Sequence, residues 1–348
     1  MIKLAIIGAG GMASWHAQNF SKMKGVKLEA VVDVDQTRAQ AMADKHNVKQ
    51  VYTDVDRMLA ESGVDAVTNV TPDQFHAPLT LKAIKAGKHV LCEKPLATNH
   101  ADAAKMVRAA QKAGVINMVN FSYRDAPAIQ LARKLVASGK LGDIVHVEAS
   151  YLQSWLSSKV WGDWRTNPTW LWRLSSAHGS RGVLGDVGVH ILDFASYPVG
   201  DIRSVQCRLA TYSQHKGTKM GDYVLDANDT AIITVEFENG ALGTIHTTRW
   251  ATGHKNLLTL RLFGTKGALR VDLDKSRDSI EVCLGADVDK AEWRSMQAPA
   301  WPSVYQQFIK SIKTGVNAQP DFATGAKIQK ALDACFLSDA EKSPVKLR

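Results

Sequence analysis

The chain has 348 residues, which at roughly 100–200 residues per domain implies two domains with ordinary hydrophobic cores and excludes a small disulfide-stapled scaffold. Hydrophobic residues make up 45% and charged ones 22%, a balance that excludes long disorder, a coiled coil or a fibrous repeat. The 43 Lys and Arg outnumber 34 Asp and Glu to leave +9, but the basic residues are scattered, so the phosphates of a small molecule match the excess better than nucleic acid does.

Cys92, Cys207, Cys283 and Cys335 lie far apart with no C-x-x-C pair, which argues against a structural zinc site or a disulfide framework and fits a reducing, cytoplasmic setting. Met-Ile-Lys-Leu-Ala-Ile-Ile-Gly runs straight into a glycine-rich turn, with no basic n-region or cleavage site, and no segment approaches about 18 apolar residues. Neither a secretory leader nor a membrane span is expected.

Short β-branched runs at Ile2–Ile7, Leu28–Val34, Asp65–Val70, His89–Cys92 and Val115–Phe121 read as buried strands, separated by helical stretches rich in Ala, Lys, Met and Gln. That alternation predicts βαβ crossovers and a parallel sheet covered on both faces. After Arg124 the pattern changes. A helix over Ala126–Ser138 and a turn at Lys140–Asp143 lead into strands at Ile144–Leu152, Ile202–Ala210, Thr230–Glu238, Ala241–Arg249, Leu257–Phe263 and Ala268–Leu273, and a last helix is expected at Phe322–Ser338. Strands joined by short connections predict a mostly antiparallel open sheet with helices on one face. The fold class is therefore α/β: a doubly wound parallel-sheet domain over residues 1–123, then an α+β domain over 124–348 whose last helix packs back toward the first.

Gly8-Ala9-Gly10-Gly11-Met12-Ala13 follows the first strand and opens a helix, the context a dinucleotide fingerprint requires. Gly8 permits the tight turn, Gly10 admits a pyrophosphate, and the residues through Gly11 and Met12 present a helix N-terminus to it. Asp33, at the end of the second strand, is placed to bond the adenosine ribose hydroxyls and to repel a 2′-phosphate, which favours NAD, whereas the nearby Arg38 and Lys3 leave NADP open. Polar residues of Thr71-Pro72-Asp73-Gln74-Phe75-His76 and Glu93-Lys94-Pro95 fall at the carboxyl ends of successive parallel strands, where ligands of open α/β sheets bind. Pro95 restrains Lys94, so its ammonium is aimed rather than mobile.

In Gly185-Asp186-Val187-Gly188-Val189-His190-Ile191-Leu192-Asp193, a helical reading puts two carboxylates and an imidazole on one face. Such a histidine can take a hydroxyl proton near neutral pH; the alternative is a satisfied core histidine beside a helix-capping aspartate. No paired-histidine metal motif accompanies it, so no metal is expected. Trp155, Trp161, Trp164, Trp170 and Trp172, interleaved with Arg165 and Arg173 and interrupted by Gly162, Asn167 and Pro168, read as a loop whose indole faces suit sugar rings, or as an interdomain or subunit contact.

Together these residues resemble the Gfo/Idh/MocA family, the relatives of glucose–fructose oxidoreductase and inositol dehydrogenase. The likeness runs from the glycine loop through Thr71-Pro72 and Glu93-Lys94-Pro95 to Asp186-x-x-x-His190 and the closing helix, nearly the whole chain. It implies an N-terminal Rossmann domain and NAD(P)-dependent oxidation or reduction of a sugar, sugar-acid or cyclitol. It also implies an open C-terminal sheet that forms a homodimer or homotetramer. Carried onto this sequence, it makes Lys94 a contact of both the nicotinamide side and the reacting oxygen, His190 the acid/base, and Asp186 the residue that orients substrate. Thr71, Pro72, His76 and Glu93 line the cofactor groove, while Arg124, Trp172 and Arg173 face the substrate. Relatives often carry three glycines where this chain has Gly179-Ser180-Arg181-Gly182, which admits a carboxylated or phosphorylated substrate, and the tryptophan segment suits one larger than a monosaccharide. Two other readings accompany the dehydrogenase: a redox glycosidase that retains NAD, and a non-catalytic cofactor-sensing regulator.

Overall fold

A computed structural model describes residues 1–212 and 217–347. The chain divides into two compact units, Met1–Ser122 with Pro302–Gln329, and Tyr123–Trp301 with Lys330–Arg348.

In unit 1 the apolar runs form six strands: β1 (Ile2–Ile7), β2 (Val26–Val32), β3 (Gln50–Tyr52), β4 (Ala66–Asn69), β5 (His89–Cys92) and β6 (Asn117–Val119). They alternate with α1 (Gly11–Ser21), α2 (Gln36–His46), α3 (Val55–Glu61), α4 (His76–Lys85) and α5 (His100–Ala113). The sheet order is β3-β2-β1-β4-β5-β6 with every pair parallel, the doubly wound arrangement expected. Burial on both faces explains why β1 reads as an apolar run broken only by the exposed Lys3; β4 is buried along its whole length although it ends in the polar pair Thr68 and Asn69. The second strand starts earlier than expected and stops at Val32, because Val34 is exposed and Asp33 already turns toward α2. The short edge strand β3 has no apolar run to announce it.

The core of unit 1 includes Leu4, Ile6, Phe20, Leu28, Val31, Leu91 and Met118, closed by Tyr305 and Phe308. Those last two come from α9 (Val304–Thr314), an amphipathic helix the sequence reading did not place. Its start was legible: Ser303 accepts from the Gln306 backbone N–H and Gln306 returns the bond, a capping box.

Unit 2 begins with α6 (Pro127–Ala137) and β7 (Ile144–Gln153), passes through the single turn α7 (Pro168–Leu171), and reaches α8 (Val189–Val199). It continues through β8 (Ile202–Ala210), the hairpin β9 (Thr218–Met220) and β10 (Tyr223–Leu225), β11 (Thr230–Phe237), β12 (Leu242–Thr248), β13 (Asn256–Gly264), β14 (Gly267–Asp272), β15 (Ser279–Leu284) and β16 (Arg294–Gln297). The closing helix α10 spans Phe322–Glu341, past the expected end at Ser338, with its residues through Gln329 assigned to unit 1 and the rest to unit 2, before β17 (Val345–Lys346). Nine strands form one sheet in the order β16-β15-β14-β13-β7-β12-β11-β8-β17, antiparallel throughout except for the parallel pair β7 and β12. Alternation along β11 and β12 buries one face, on which α8 lies across β7, β12 and β13. The opposite face carries Ile232 at 53% and Leu242 at 60% exposure, the half-wet sheet the sequence predicts. Among the described residues no helix is long and apolar enough to cross a membrane.

Candidate cofactor and substrate sites

Gly8 stands at φ +97°, and a Cβ there would lie 2.9 Å from the Val70 carbonyl oxygen, so both conformation and space demand glycine. Gly10 precedes α1 without a side-chain cap, and Cβ atoms built on Gly10 or Gly11 would meet nothing within 4 Å. A helix N-terminus opening on clear space beside a bare backbone suits the pyrophosphate of a dinucleotide. Asp33 lies beside this loop: Oδ2 accepts from the Ala9 N–H at 2.8 Å, while Oδ1 accepts from the Asp35 N–H and from Arg38 Nη2, both at 2.9 Å. Partial burial pushes the Asp33 pKa up, but those three donors outweigh it and hold the carboxyl below its usual value. The residues thus fit a dinucleotide, with an acidic group ready for ribose hydroxyls.

Behind the loop after β5 lies a polar cluster that the sequence reading did not assemble. His16, fully buried on α1, has Nδ1 2.8 Å from Thr68 Oγ1 and Nε2 2.8 Å from Glu93 Oε1. Asn120 donates to the same Glu93 oxygen at 2.5 Å and to the Tyr305 hydroxyl at 3.2 Å, and Glu93 Oε2 accepts the Lys94 backbone N–H at 3.1 Å. Burial works against ionising Glu93, yet His16, the Lys94 charge and Asn120 prevail and lower its pKa to about 2. Glu93 therefore anchors the start of the Lys94 loop, and the Lys94–Pro95 peptide bond is cis. His76 completes the anchoring, its ring nitrogens lying 2.6 Å from the Pro95 carbonyl oxygen and 2.8 Å from that of Thr71. Thr71 is fixed by its own bond to Asn69 Oδ1 at 2.7 Å.

In unit 2, Asp186 lies in a π-helical turn, Leu184–Gly188, that runs into α8, where His190 sits in the first turn. The wider turn departs from the regular helical spacing used to place Asp186, His190 and Asp193 on one face, and π turns of this kind recur at functional sites. Asp193 is buried against Arg124, whose Nε lies 2.9 Å from Oδ2 and Nη2 2.5 Å from Oδ1, with the guanidinium 4.1 Å from the Tyr197 ring centroid. Arg124 is thus engaged in a bidentate ion pair. Asp186 Oδ2 instead accepts from Arg249 Nη2 at 3.0 Å and lies 3.5 Å from Arg173 Nε.

The His190 ring is buried edge-on to Tyr123, with centroids 4.9 Å apart, and lies 6.4 Å from the Tyr151 ring. The two tyrosine hydroxyls are 2.6 Å apart, Tyr151 donates to Asn256 Oδ1 at 2.8 Å, and Asn256 Nδ2 donates to Tyr123 at 3.1 Å. Burial, followed by Tyr123, raises the Tyr151 pKa well above that of a free phenol. Sequence reasoning missed Tyr123, Tyr151, Asn256 and Arg249, since nothing in a linear pattern pairs residues that lie 28 to 133 positions apart.

The tryptophan segment divides in two, which corrects the reading of all five indoles as an exposed loop. Trp155 and Trp164 are buried with Leu156, Leu171, Leu174 and Leu225 in a satellite core. Trp161 stacks on Trp170, and the Arg173 guanidinium lies 4.6 Å from the Trp172 centroid and 5.2 Å from that of Trp170. Trp172, 36% exposed, is the most exposed of the five. Arg181 turns to α10, 4.2 Å from the Phe336 centroid and 3.5 Å from Asp333, an engagement that weakens the case it made for an anionic substrate. Among the described residues no group of three or more His, Cys, Asp or Glu is arranged to hold a metal ion.

The glycine loop, the acidic residue after β2 and the strand order define a nicotinamide-dinucleotide-binding architecture joined to an open-sheet domain. Residues 2–121 match the oxidoreductase family with an NAD-binding Rossmann fold, and residues 129–270 match the GFO/IDH/MocA C-terminal domain. The chain belongs to the GFO/IDH/MocA family of oxidoreductases, and its N-terminal domain binds NAD. It is 27% identical to levoglucosan dehydrogenase of Pseudarthrobacter phenanthrenivorans, over 98% of this chain and 97% of the relative. It is 33% identical to D-glucoside 3-dehydrogenase of Escherichia coli over 69% of this chain and 68% of that one. A structure of levoglucosan dehydrogenase in complex with NADH and levoglucosan superposes with a TM-score of 0.89 at 26% identity, covering 99% of both chains.

Proposed function

We propose that the protein is an NAD-dependent dehydrogenase of a cyclic sugar or cyclitol hydroxyl, working reversibly on the corresponding ketone. The observation that carries this reading is the pairing, in one chain, of a glycine loop with space for a pyrophosphate and a histidine-bearing helix whose Asp186 is held by two arginines. Relatives named as dehydrogenases of levoglucosan and of D-glucosides support the substrate class.

Bound along the glycine loop and Asp33, NAD supplies the hydride acceptor. His190 takes the proton of the reacting hydroxyl. Lys94, its loop fixed by Glu93 and His76, places an ammonium against the oxygen as negative charge develops there. Asp186 accepts a hydrogen bond from a neighbouring ring hydroxyl and so fixes which carbon faces the cofactor. Trp172 and Arg173 border the far side of the ring, and Thr71, Pro72 and Met12 border the cofactor. Arg124 serves the site by fixing α8 through Asp193 rather than by touching substrate. We further propose that the exposed sheet face bearing Ile232 and Leu242 associates two copies of the chain.

The test is nicotinamide absorbance with NAD and a panel of sugars, anhydrosugars, glycosides, cyclitols and sugar acids, using wild type and Lys94→Ala. The reading expects NADH with at least one neutral ring and a rate lower by about 10²–10³ in the variant, the scale of losing one electrostatic donor. Tight NAD binding without net NADH, but with glycoside cleavage, would instead identify a redox glycosidase.

A further inference from the structure

Arg249 follows the last residue of β12 and is fully buried. Its place is set by strand parity: Gly243, Ile245 and Thr247 point to the covered face, and Arg249 continues that series toward the π turn, on which β12 packs. Removing a guanidinium from water is costly unless partners replace the lost hydration. The partners here are specific. Nη2 donates to Asp186 Oδ2 at 3.0 Å, Nη1 donates to the Arg173 carbonyl at 3.0 Å, and the guanidinium carbon lies 4.9 Å from the Trp155 ring centroid. The Nε has no partner, so the group is oriented by these three contacts. Burial is the largest influence on its pKa and lowers it, with the Asp186 charge the main opposing one.

The two hydrogen bonds join the carboxylate of the π turn to the backbone of the segment that carries Trp170 and Trp172. One end fixes the carboxylate proposed to orient the reacting ring. The other fixes the backbone of the residue whose side chain stacks on Trp170 and Trp172, the wall that a larger substrate would meet. A lysine at this position could reach one acceptor but not both, because it lacks the planar fork.

We infer that Arg249 is a positioning residue that sets Asp186 and the Trp170–Arg173 wall in register, and so determines which ring fits. The inference rests on the proposed dehydrogenase reading and adds a residue that does not itself touch substrate. It predicts coupling: substitution at 249 acts through Asp186 and leaves NAD binding in unit 1 untouched.

The experiment compares wild type, Arg249→Lys, Arg249→Met, Asp186→Asn and the Asp186→Asn/Arg249→Met double variant with the best substrate of the panel. Arg249→Met, which keeps bulk against Trp155, is expected to lower kcat/KM about 10–10²-fold, mostly through KM, with the NAD Kd unchanged within about twofold. Arg249→Lys is expected to restore part of that loss. Added to Asp186→Asn, the same change is expected to cost clearly less than it does alone, the remainder coming from the Arg173 carbonyl that it no longer holds. Equal losses from Arg249→Met with and without Asp186→Asn would overturn the inference, as would a weakened NAD Kd. A wild type silent on the whole panel would refute the dehydrogenase reading instead. Hydrogen exchange then decides the positioning role without turnover: faster exchange in both 170–176 and 184–190 of Arg249→Lys, relative to wild type, supports it, and unchanged exchange in either segment overturns it.

Discussion

Replacing Glu93 by Gln should destabilise unit 1 selectively and in a pH-dependent way. The native carboxyl is buried and lowered from 4.5 to about 2, which corresponds to roughly 3 kcal/mol of preference for its ionised form at neutral pH. The substitution removes that charge from beside His16 and leaves Asn120 facing an amide. The expected loss is therefore about 3 kcal/mol at pH 7, or roughly 6–12 °C in the melting temperature of a unit this size. The folded carboxyl is the stronger acid, so between about pH 2 and 4.5 the unfolded chain binds the extra proton. The advantage of wild type is whole above that window and shrinks as pH falls into it. Calorimetry and urea unfolding of both proteins from pH 7 down to 4, with NAD affinity as a second reading on α1, provide the assay. A difference below about 0.5 kcal/mol at pH 7, or one that grows on acidification below pH 4.5, would refute the account of the His16–Glu93–Asn120 cluster.

Two further substitutions test the cofactor end and the substrate helix. Asp33→Ala removes the acceptor shared by Ala9, Asp35 and Arg38, releasing the Arg38 guanidinium for a 2′-phosphate; the NAD to NADP ratio of kcat/KM should fall by about tenfold or more, read by steady-state kinetics with both cofactors. Arg124→Met leaves the buried Asp193 carboxylate, whose pKa burial already raises against the pull of Arg124, without its bidentate partner. Urea unfolding should register a loss of about 3–5 kcal/mol, most of it recovered when Asp193→Leu is added.

The Rossmann half was legible because parallel strands buried on both faces write themselves as apolar runs, and the loop from Gly8 to Ala13 carries its own stereochemical demand at Gly8. Strand parity likewise revealed most of the second sheet. Among the missed elements, β3 and β17 are short edge strands, β9, β10 and β16 are only three or four residues long, and β15 and α9 went unplaced although β15 alternates and a capping box opens α9. Of the candidate site residues, Lys94, Asp186 and His190 stood out because their chemistry is dense in sequence. Their supports did not, since His16 meets Glu93, Tyr123 meets Asn256, and Asp186 meets Arg249 only after the sheets assemble. The tryptophan segment misled because indole content does not report burial, and Trp164 proves as enclosed as any core leucine.

The central claim is that this chain moves hydride from a ring carbon while His190 takes the hydroxyl proton. The most direct measurement is deuterium transfer: a substrate from the panel, labelled at the carbon bearing the reacting hydroxyl, is incubated with NAD and wild type or His190→Ala, and the recovered NADH is analysed by mass spectrometry. The account predicts one deuterium per NADH with wild type, and in His190→Ala a rate at least about 10²-fold lower despite unchanged NAD affinity. Unlabelled NADH, or a His190→Ala variant as fast as wild type, would contradict it.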